Sequence, residues 1–230
     1  MAQRILVIYF LSLVLVVNAG VPFDFFQFVQ QWGLNVCNTG AHVSPCHTPP
    51  RPMFTIHGLW PSNHSNAHLV CWSKTQYSKV ISLEAQLKIY WPDLISGNND
   101  KFWGHEWDNH GKCSDPPFGL FQYFQISLNL RKQFDLLAIL TAAGLNPQSS
   151  NDLVIQDIIT PIQKITKTEP GIRCNKNGRT GKLQLYEIVL CLEKDGVTLI
   201  DCPSFVSGTC PTKFVWLLPQ ENSFGASDYP

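Results

Sequence analysis

The chain is expected to fold as a single α+β domain with a mainly antiparallel central sheet, surrounding helices and disulfide staples. Three observations predict this class. Strand-like runs are few, and helical patterns interrupt them rather than alternating with them regularly. The last two runs are joined across Lys194-Asp195-Gly196, a hairpin signal that sets them antiparallel. Eight cysteines, Cys37, Cys46, Cys71, Cys113, Cys174, Cys191, Cys202 and Cys210, form an even set in a chain that opens with an export signal, which argues for four disulfides. Spacing alone leaves their pairing open.

Residues 1–19 read as a secretory signal peptide. Arg4 precedes an apolar run from Ile5 to Val17, and Val17-Asn18-Ala19 supplies small residues for cleavage after Ala19 or Gly20. The run is too short to cross a bilayer, so the product is expected outside the cell or in the vacuole, without membrane attachment. Residues 20–218 are then one domain, of a size that commonly builds one substantial core.

Within that domain, aromatic-rich residues 23–32 predict a first buried strand. Residues 53–57 predict a second, stopped by Gly58 and Pro61. Residues 76–90 carry Val80, Leu83, Leu87 and Tyr90 at helical spacing, closed by Pro92. Residues 100–110 predict a helix with Asp100 as N-cap and Gly111 near its end. Residues 120–140 predict a longer amphipathic helix, and 183–192 and 197–201 the two hairpin strands. Residues 219–230 are polar and aperiodic, a loosely ordered tail.

The 17 basic residues equal the 17 acidic ones, and losing Arg4 with the leader leaves 16 against 17, a charge near −1. Non-specific capture of nucleic acid through many phosphate contacts is therefore not expected. A local cluster of Lys164, Lys167, Arg173, Lys176, Arg179 and Lys182 could attract phosphates, but it reads at least as well as a solvated surface around the Asn177-Gly178 turn. Zinc is disfavoured: no Cys-x-x-Cys pair occurs, and His105 and His110 are five apart where a helical metalloprotease motif requires four. No metal or cofactor is expected.

Two blocks carry chemistry. His105-Glu-Trp-Asp-Asn-His-Gly-Lys112 places two imidazoles and a carboxylate within two helical turns, with Glu106 and His110 four apart on one face. Phe54-Thr-Ile-His-Gly-Leu-Trp-Pro61 brings His57 in a strand that ends at a turn. A pair of imidazoles can remove one proton and deliver another in a single displacement near neutral pH. RNA offers such a displacement, because its 2′-hydroxyl is a nucleophile already beside the scissile phosphate. Of the nearby aromatics, Trp103 and Trp107 read as core, whereas Trp60 and Phe102 are candidate faces for bases.

At these residues the chain resembles the ribonuclease T2 family, including the plant S-RNases and S-like RNases. The likeness rests on both histidine blocks, the second running from Phe102 to Cys113, and on the start Phe23-Asp-Phe-Phe-Gln-Phe-Val-Gln-Gln-Trp32. It implies endonucleolytic cleavage of single-stranded RNA through a 2′,3′-cyclic phosphate to 3′-phosphate ends. By position, His57 would be general acid, His110 general base, Glu106 a stabiliser of the pentavalent phosphate and His105 a phosphate contact. Trp60 would stack on a base, and Gln31, Asp93 and Phe102 would line a second base pocket. The implied disulfides are Cys37–Cys46, Cys71–Cys113, Cys174–Cys210 and Cys191–Cys202. A monomer is expected, with a protein partner only if the chain acts as an S-RNase.

One departure stands out. The family usually has a lysine before the second catalytic histidine, where this chain has Asn109; Lys112 is the candidate substitute at the phosphate. Asp93 also departs, because an ionised carboxylate only accepts hydrogen bonds and cannot read a base as an uncharged side chain does. Asn109 motivates an alternative reading, a secreted binding or storage protein on a ribonuclease scaffold; retention of His57, Glu106 and His110 argues against it. The near-neutral charge leans towards an S-like role in defence or phosphate scavenging. Asn63-His64-Ser65 is the sole N-glycosylation sequon. The surrounding residues 62–79 are the expected seat of partner recognition or substrate selectivity, and His42, His47, His64 and His68 are expected in surface loops.

Overall fold

The computed structural model describes residues 23–39, 46–147, 152–208, 210 and 213–216. Residues 1–19, expected as a signal peptide, residues 219–230, expected as a tail, and His42 lie outside them. Among the described residues no helix is long and apolar enough to cross a membrane.

The sheet is antiparallel throughout, with strand order β2-β1-β4-β3 and β5 paired to one end of β4. Its strands are β1 (Phe25–Trp32), β2 (Phe54–Ser62), β3 (Gly171–Lys176), β4 (Leu183–Glu193) and β5 (Leu199–Ile200). Strand alternation gives the sheet two different faces. Phe26, Phe28, Trp32, Phe54, Ile56, Leu59, Ile188, Leu190 and Leu192 join the main core with the helices, while Phe25, Val29, Val189, Cys191 and Val206 form a smaller apolar cluster on the other face. Disulfides join Cys37 to Cys46, Cys71 to Cys113, Cys174 to Cys210 and Cys191 to Cys202.

Helices α1 (Gly33–Cys37), α2 (Glu84–Tyr90), α3 (Asn99–Asn109), α4 (Leu120–Gln133), α5 (Leu136–Ala142) and α6 (Ile155–Thr166) surround the sheet. Several depart from their sequence-based bounds for identifiable reasons. Helical structure near residue 80 begins only at Ile81, because the chain before it is held by the Cys71 disulfide and by the Thr75 carbonyl, which accepts from Trp107 Nε1 at 3.0 Å. The N-cap of α3 is Asn98, whose side chain accepts from Lys101 N at 3.1 Å; Asp100 instead accepts from the Tyr77 hydroxyl. The expected long helix over 120–140 is two helices, because Asp135 caps α5 by accepting from Ala138 N.

Strand β2 does not stop at Gly58 but runs on to Ser62. Its pairing with β1 slips between Val29 and Gln30, which face Gly58 and Ile56, so His57 is the extra residue of a β-bulge. The slip changes the parity of the strand. Ile56 and Leu59 both reach the main core, while His57 and Trp60 emerge together on the opposite face.

Candidate active site

The bulge is the foundation of the site. Without it, residues three apart on a strand would lie on opposite faces; with it, the rings of His57 and Trp60 meet edge-on with centroids 5.0 Å apart. Gly58 between them is required by close approach, since a Cβ there would fall 2.1 Å from Trp60 Nε1 and 2.4 Å from Glu106 Oε2. The His57 carbonyl accepts from Trp91 Nε1 at 2.8 Å, and the Trp91 carbonyl accepts from Trp103 Nε1 at 2.8 Å. Buried indoles thus fix the bulge from behind.

Helix α3 supplies the second block. Trp103 and Trp107 bury into the core as expected, which turns Glu106 towards β2. Glu106 is buried, and its Oε2 accepts from Trp60 Nε1 at 2.9 Å. His110 is the C-cap of α3, with its N–H donating to the Glu106 carbonyl. Its ring lies 5.2 Å from that of Trp60. Trp60 therefore stands between the two histidines as a spacer and hydrogen-bonds the Glu106 carboxyl.

The sheet adds two groups that the sequence does not place at this site: Glu187, which it does not single out, and Arg173, which it sets in a surface basic cluster. In register, Gln31, Glu187 and Arg173 face one another across β1, β4 and β3. Glu187 Oε1 lies 2.5 Å from His57 Nδ1, and Glu187 Oε2 accepts from Arg173 Nη1 at 3.2 Å. Arg173 also donates to Gln27 Oε1 and to the Val206 carbonyl, and its guanidinium lies over the Trp60 ring. Arg173 thus does not belong to the solvated basic cluster in which its sequence neighbours placed it. A carboxylate in the apolar run Leu-Gln-Leu-Tyr-Glu-Ile-Val-Leu of β4 was the available signal, because a buried charge needs a partner.

These partners set opposite proton affinities on the two histidines. Burial opposes charging His57, but its hydrogen bond to Glu187 and the charges of Glu187 and Glu106 overcome that and raise its pKa. Burial, helped by the charges of His57, His105 and His68, lowers His110 to about 4. At neutral pH His110 is ready to take a proton. Burial raises the pKa of Glu106 despite His57 and Trp60, whereas burial of Glu187 is outweighed by His57 and Arg173, which hold it below the ordinary range.

Two cavities flank this pair. One, of about 360 Å³, is lined by Trp60, His110, Asn109, Asn63, His68 and Leu69 among others. His68, expected in a surface loop, is thus a wall of the site. The other, of about 130 Å³, brings together Gln31, His57, Asp93 and Phe102 with Pro92 and Tyr186; the Phe102 ring lies 6.3 Å from that of His57. The Asp93 carboxylate is engaged in its own loop, accepting from the backbone N–H groups of Ile95, Ser96 and Asn98 and from the Ser96 hydroxyl.

His105 is exposed on α3, and its Nδ1 and carbonyl both face the Asn109 amide nitrogen, at 3.0 and 2.8 Å. The carbonyl contact fixes the amide orientation, so His105 Nδ1 is the acceptor and Nε2 carries the proton. Lys112 lies in the short turn Gly111–Ser114, and its ammonium pairs with Asp108 Oδ1 at 2.6 Å. Among the described residues no group of three or more potential ligands could hold a metal ion.

Two histidines and two buried carboxylates thus meet on one face of the antiparallel sheet, and comparison with known proteins gives the chain a family. The Ribonuclease T2 family model matches residues 23–202. The chain is 37% identical over 194 residues to Ribonuclease 1 of Arabidopsis thaliana, covering 82% of this chain and 84% of the relative. It is 38% identical over 205 residues to extracellular ribonuclease LE of Solanum lycopersicum, covering 86% and 88%. Among solved structures, RNase NT in complex with 5′-AMP superposes with a TM-score of 0.76 at 32% identity, over 85% of this chain and 98% of that one. The chain belongs to the ribonuclease T2 family and is an endoribonuclease of that type.

Proposed function

We propose that this ribonuclease is secreted and cleaves single-stranded RNA by transphosphorylation, with His110 as base and His57 as acid. The observation that carries the reading is the opposite perturbation of two imidazoles set on either side of Trp60. In the first step neutral His110 removes the 2′-hydroxyl proton, and the 2′-oxygen attacks phosphorus. The bond to the 5′-oxygen breaks as protonated His57 delivers its proton to that oxygen. Glu187 occupies Nδ1 of His57, which leaves Nε2 as the proton donor. In the second step the roles reverse. Neutral His57 takes a proton from water, the water oxygen bonds to phosphorus as the bond from phosphorus to the 2′-oxygen breaks, and protonated His110 returns its proton to that oxygen, leaving a 3′-phosphate.

Glu106 serves the pentavalent state best in its protonated form. A carboxylate would repel the non-bridging oxygens, whereas a protonated carboxyl donates to them, and burial shifts Glu106 towards that form. His105 faces the phosphate as an Nε2–H donor, and Lys112 is at most a distant contributor because Asp108 holds it.

The acid and base assignments orient the substrate. The 2′-hydroxyl belongs to the nucleotide upstream of the cleaved bond, so the cavity beside His110, with Trp60 in its wall, takes the upstream base. The cavity beside His57, with Gln31 and Phe102, takes the downstream one. Asp93 shapes that cavity through its loop and does not read the base itself. The near-neutral charge supports an S-like role over self-incompatibility, and a glycan on Asn63 would stand at the rim of the upstream cavity. An RNA zymogram tests the histidine assignment: clearing by the wild type and none by His57→Ala or His110→Ala is expected, and clearing that survives both substitutions overturns it.

A further inference from the structure

All seven tryptophans of the chain are described, and six have a use within the fold. Trp32, Trp91, Trp103, Trp107 and Trp216 are buried, and Trp60 is the spacer of the site. Trp72 alone stands in solvent, 75% exposed, with its neighbour Val70 at 64%. An indole so exposed forgoes the burial that makes tryptophan stabilising.

The backbone that presents it is nevertheless fixed. Cys71 is bonded to Cys113, three residues after His110, with Cα atoms 4.4 Å apart. On the other side Ser73 and Thr75 hydroxyls both donate to Asp115 Oδ2, at 2.6 and 2.7 Å. The backbone is therefore already ordered when a ligand arrives, and only the indole side chain remains to be fixed. The segment also continues the upstream cavity, since His68, Leu69 and Cys113 line it together with His110. Residues 62–79 contain two lysines and two histidines and no carboxylate of their own; Lys79 pairs with Asp100 at 3.6 Å and Asp115 is held by Ser73 and Thr75, so Lys74, two residues from Trp72, is the cation offered to a polyanion.

We propose that Trp72 is a stacking platform for a nucleobase of the RNA strand one or more positions upstream of the base held in the cavity beside His110. The assignment rests on the roles proposed for His57 and His110, which give the strand its direction. The loop is thus an extension of the substrate track that rewards longer RNA without reading its sequence, because every base has a face to stack.

The test uses oligonucleotides with one ribonucleotide, so that a single bond is cleavable: a dinucleotide, the same unit extended by three nucleotides on its 5′ side, and the same unit extended on its 3′ side. Wild-type kcat/KM is expected to rise with the 5′ extension. Trp72→Ala is expected to remove about five- to tenfold of that gain, the lower range for one stacked base, and Trp72→Phe to retain most of it. Dinucleotide cleavage by each variant reports an intact fold. An unchanged ratio of 5′-extended to dinucleotide kcat/KM in Trp72→Ala overturns the platform and leaves the indole to a protein partner, and an equal loss on the 3′-extended substrate overturns its direction. Failure of the wild type to cleave any of the three sinks the acid–base reading, and this inference with it.

Discussion

Replacing Glu187 by glutamine isolates the group that prepares His57. The wild-type carboxylate sits 2.5 Å from His57 Nδ1 and 3.2 Å from Arg173, with its side chain only 4% exposed. An amide that turns its oxygen to Nδ1–H must turn its NH2 to the guanidinium, donor against donor. A hydrogen bond to a charged group is worth about 1.5–3 kcal/mol, and 1.36 kcal/mol is one pKa unit, so His57 in Glu187→Gln should lose its proton about one to two pH units earlier. The sign follows from the proposed role: an acid must be protonated, so activity falls as pH rises through the pKa of His57. The assay is kcat/KM against pH on a dinucleotide. The alkaline limb should move down by that amount, with about 10–100-fold less activity at pH values above the variant's limb, while the acid limb stays where His110 sets it. Glu187→Asp, which keeps the charge, should recover part of the shift. An alkaline limb that is unmoved in Glu187→Gln refutes the reasoning.

Because burial and its cationic neighbours depress His110 to about 4, kcat/KM of the wild type should remain on its plateau at pH 5 and fall only near pH 4; an acid limb near 6.5 would contradict the assignment. Asn109→Lys should raise kcat/KM roughly ten- to a hundredfold by placing a cation at the phosphate, and an unchanged rate would show that the site does without it. Lys112→Ala should cost less than about threefold, because the ammonium is held by Asp108 in an ion pair of modest worth; a tenfold loss would put it on the phosphate after all. Asp93→Asn should lower stability in urea unfolding by roughly 1 kcal/mol through the loop bonds it weakens, and altered base preference without that loss would place Asp93 on the base.

The legible part of this protein was local. The helical block at residues 105–112, the strand with His57 and the late hairpin are patterns of neighbours, and the antiparallel α+β fold follows from them. What escaped depends on register and on distant partners. His57 reaches the site face only because the strand slips against Val29 and Gln30, and no spacing within 53–57 announces a slip. Glu187 and Arg173 become partners by facing each other across β4 and β3, with 13 residues of chain between them. Helix α6 and strand β3 were hidden by their charges: Lys164, Lys167 and Arg173 read together as a solvated surface, whereas α6 buries Ile158, Ile159 and Ile162 and Arg173 turns inward. His68 looked like a loop residue and is one, but the Cys71–Cys113 bridge lays that loop against His110.

The central claim, that two histidines drive attack by the substrate's own 2′-hydroxyl, is tested most directly by following the phosphorus products of a dinucleotide over time. The account predicts a 2′,3′-cyclic phosphate that accumulates first and then converts to a 3′-phosphate, with no reaction on the 2′-deoxy analogue and neither product from His57→Ala. Direct appearance of a 3′-phosphate without the cyclic species, or cleavage of the 2′-deoxy analogue, would contradict it.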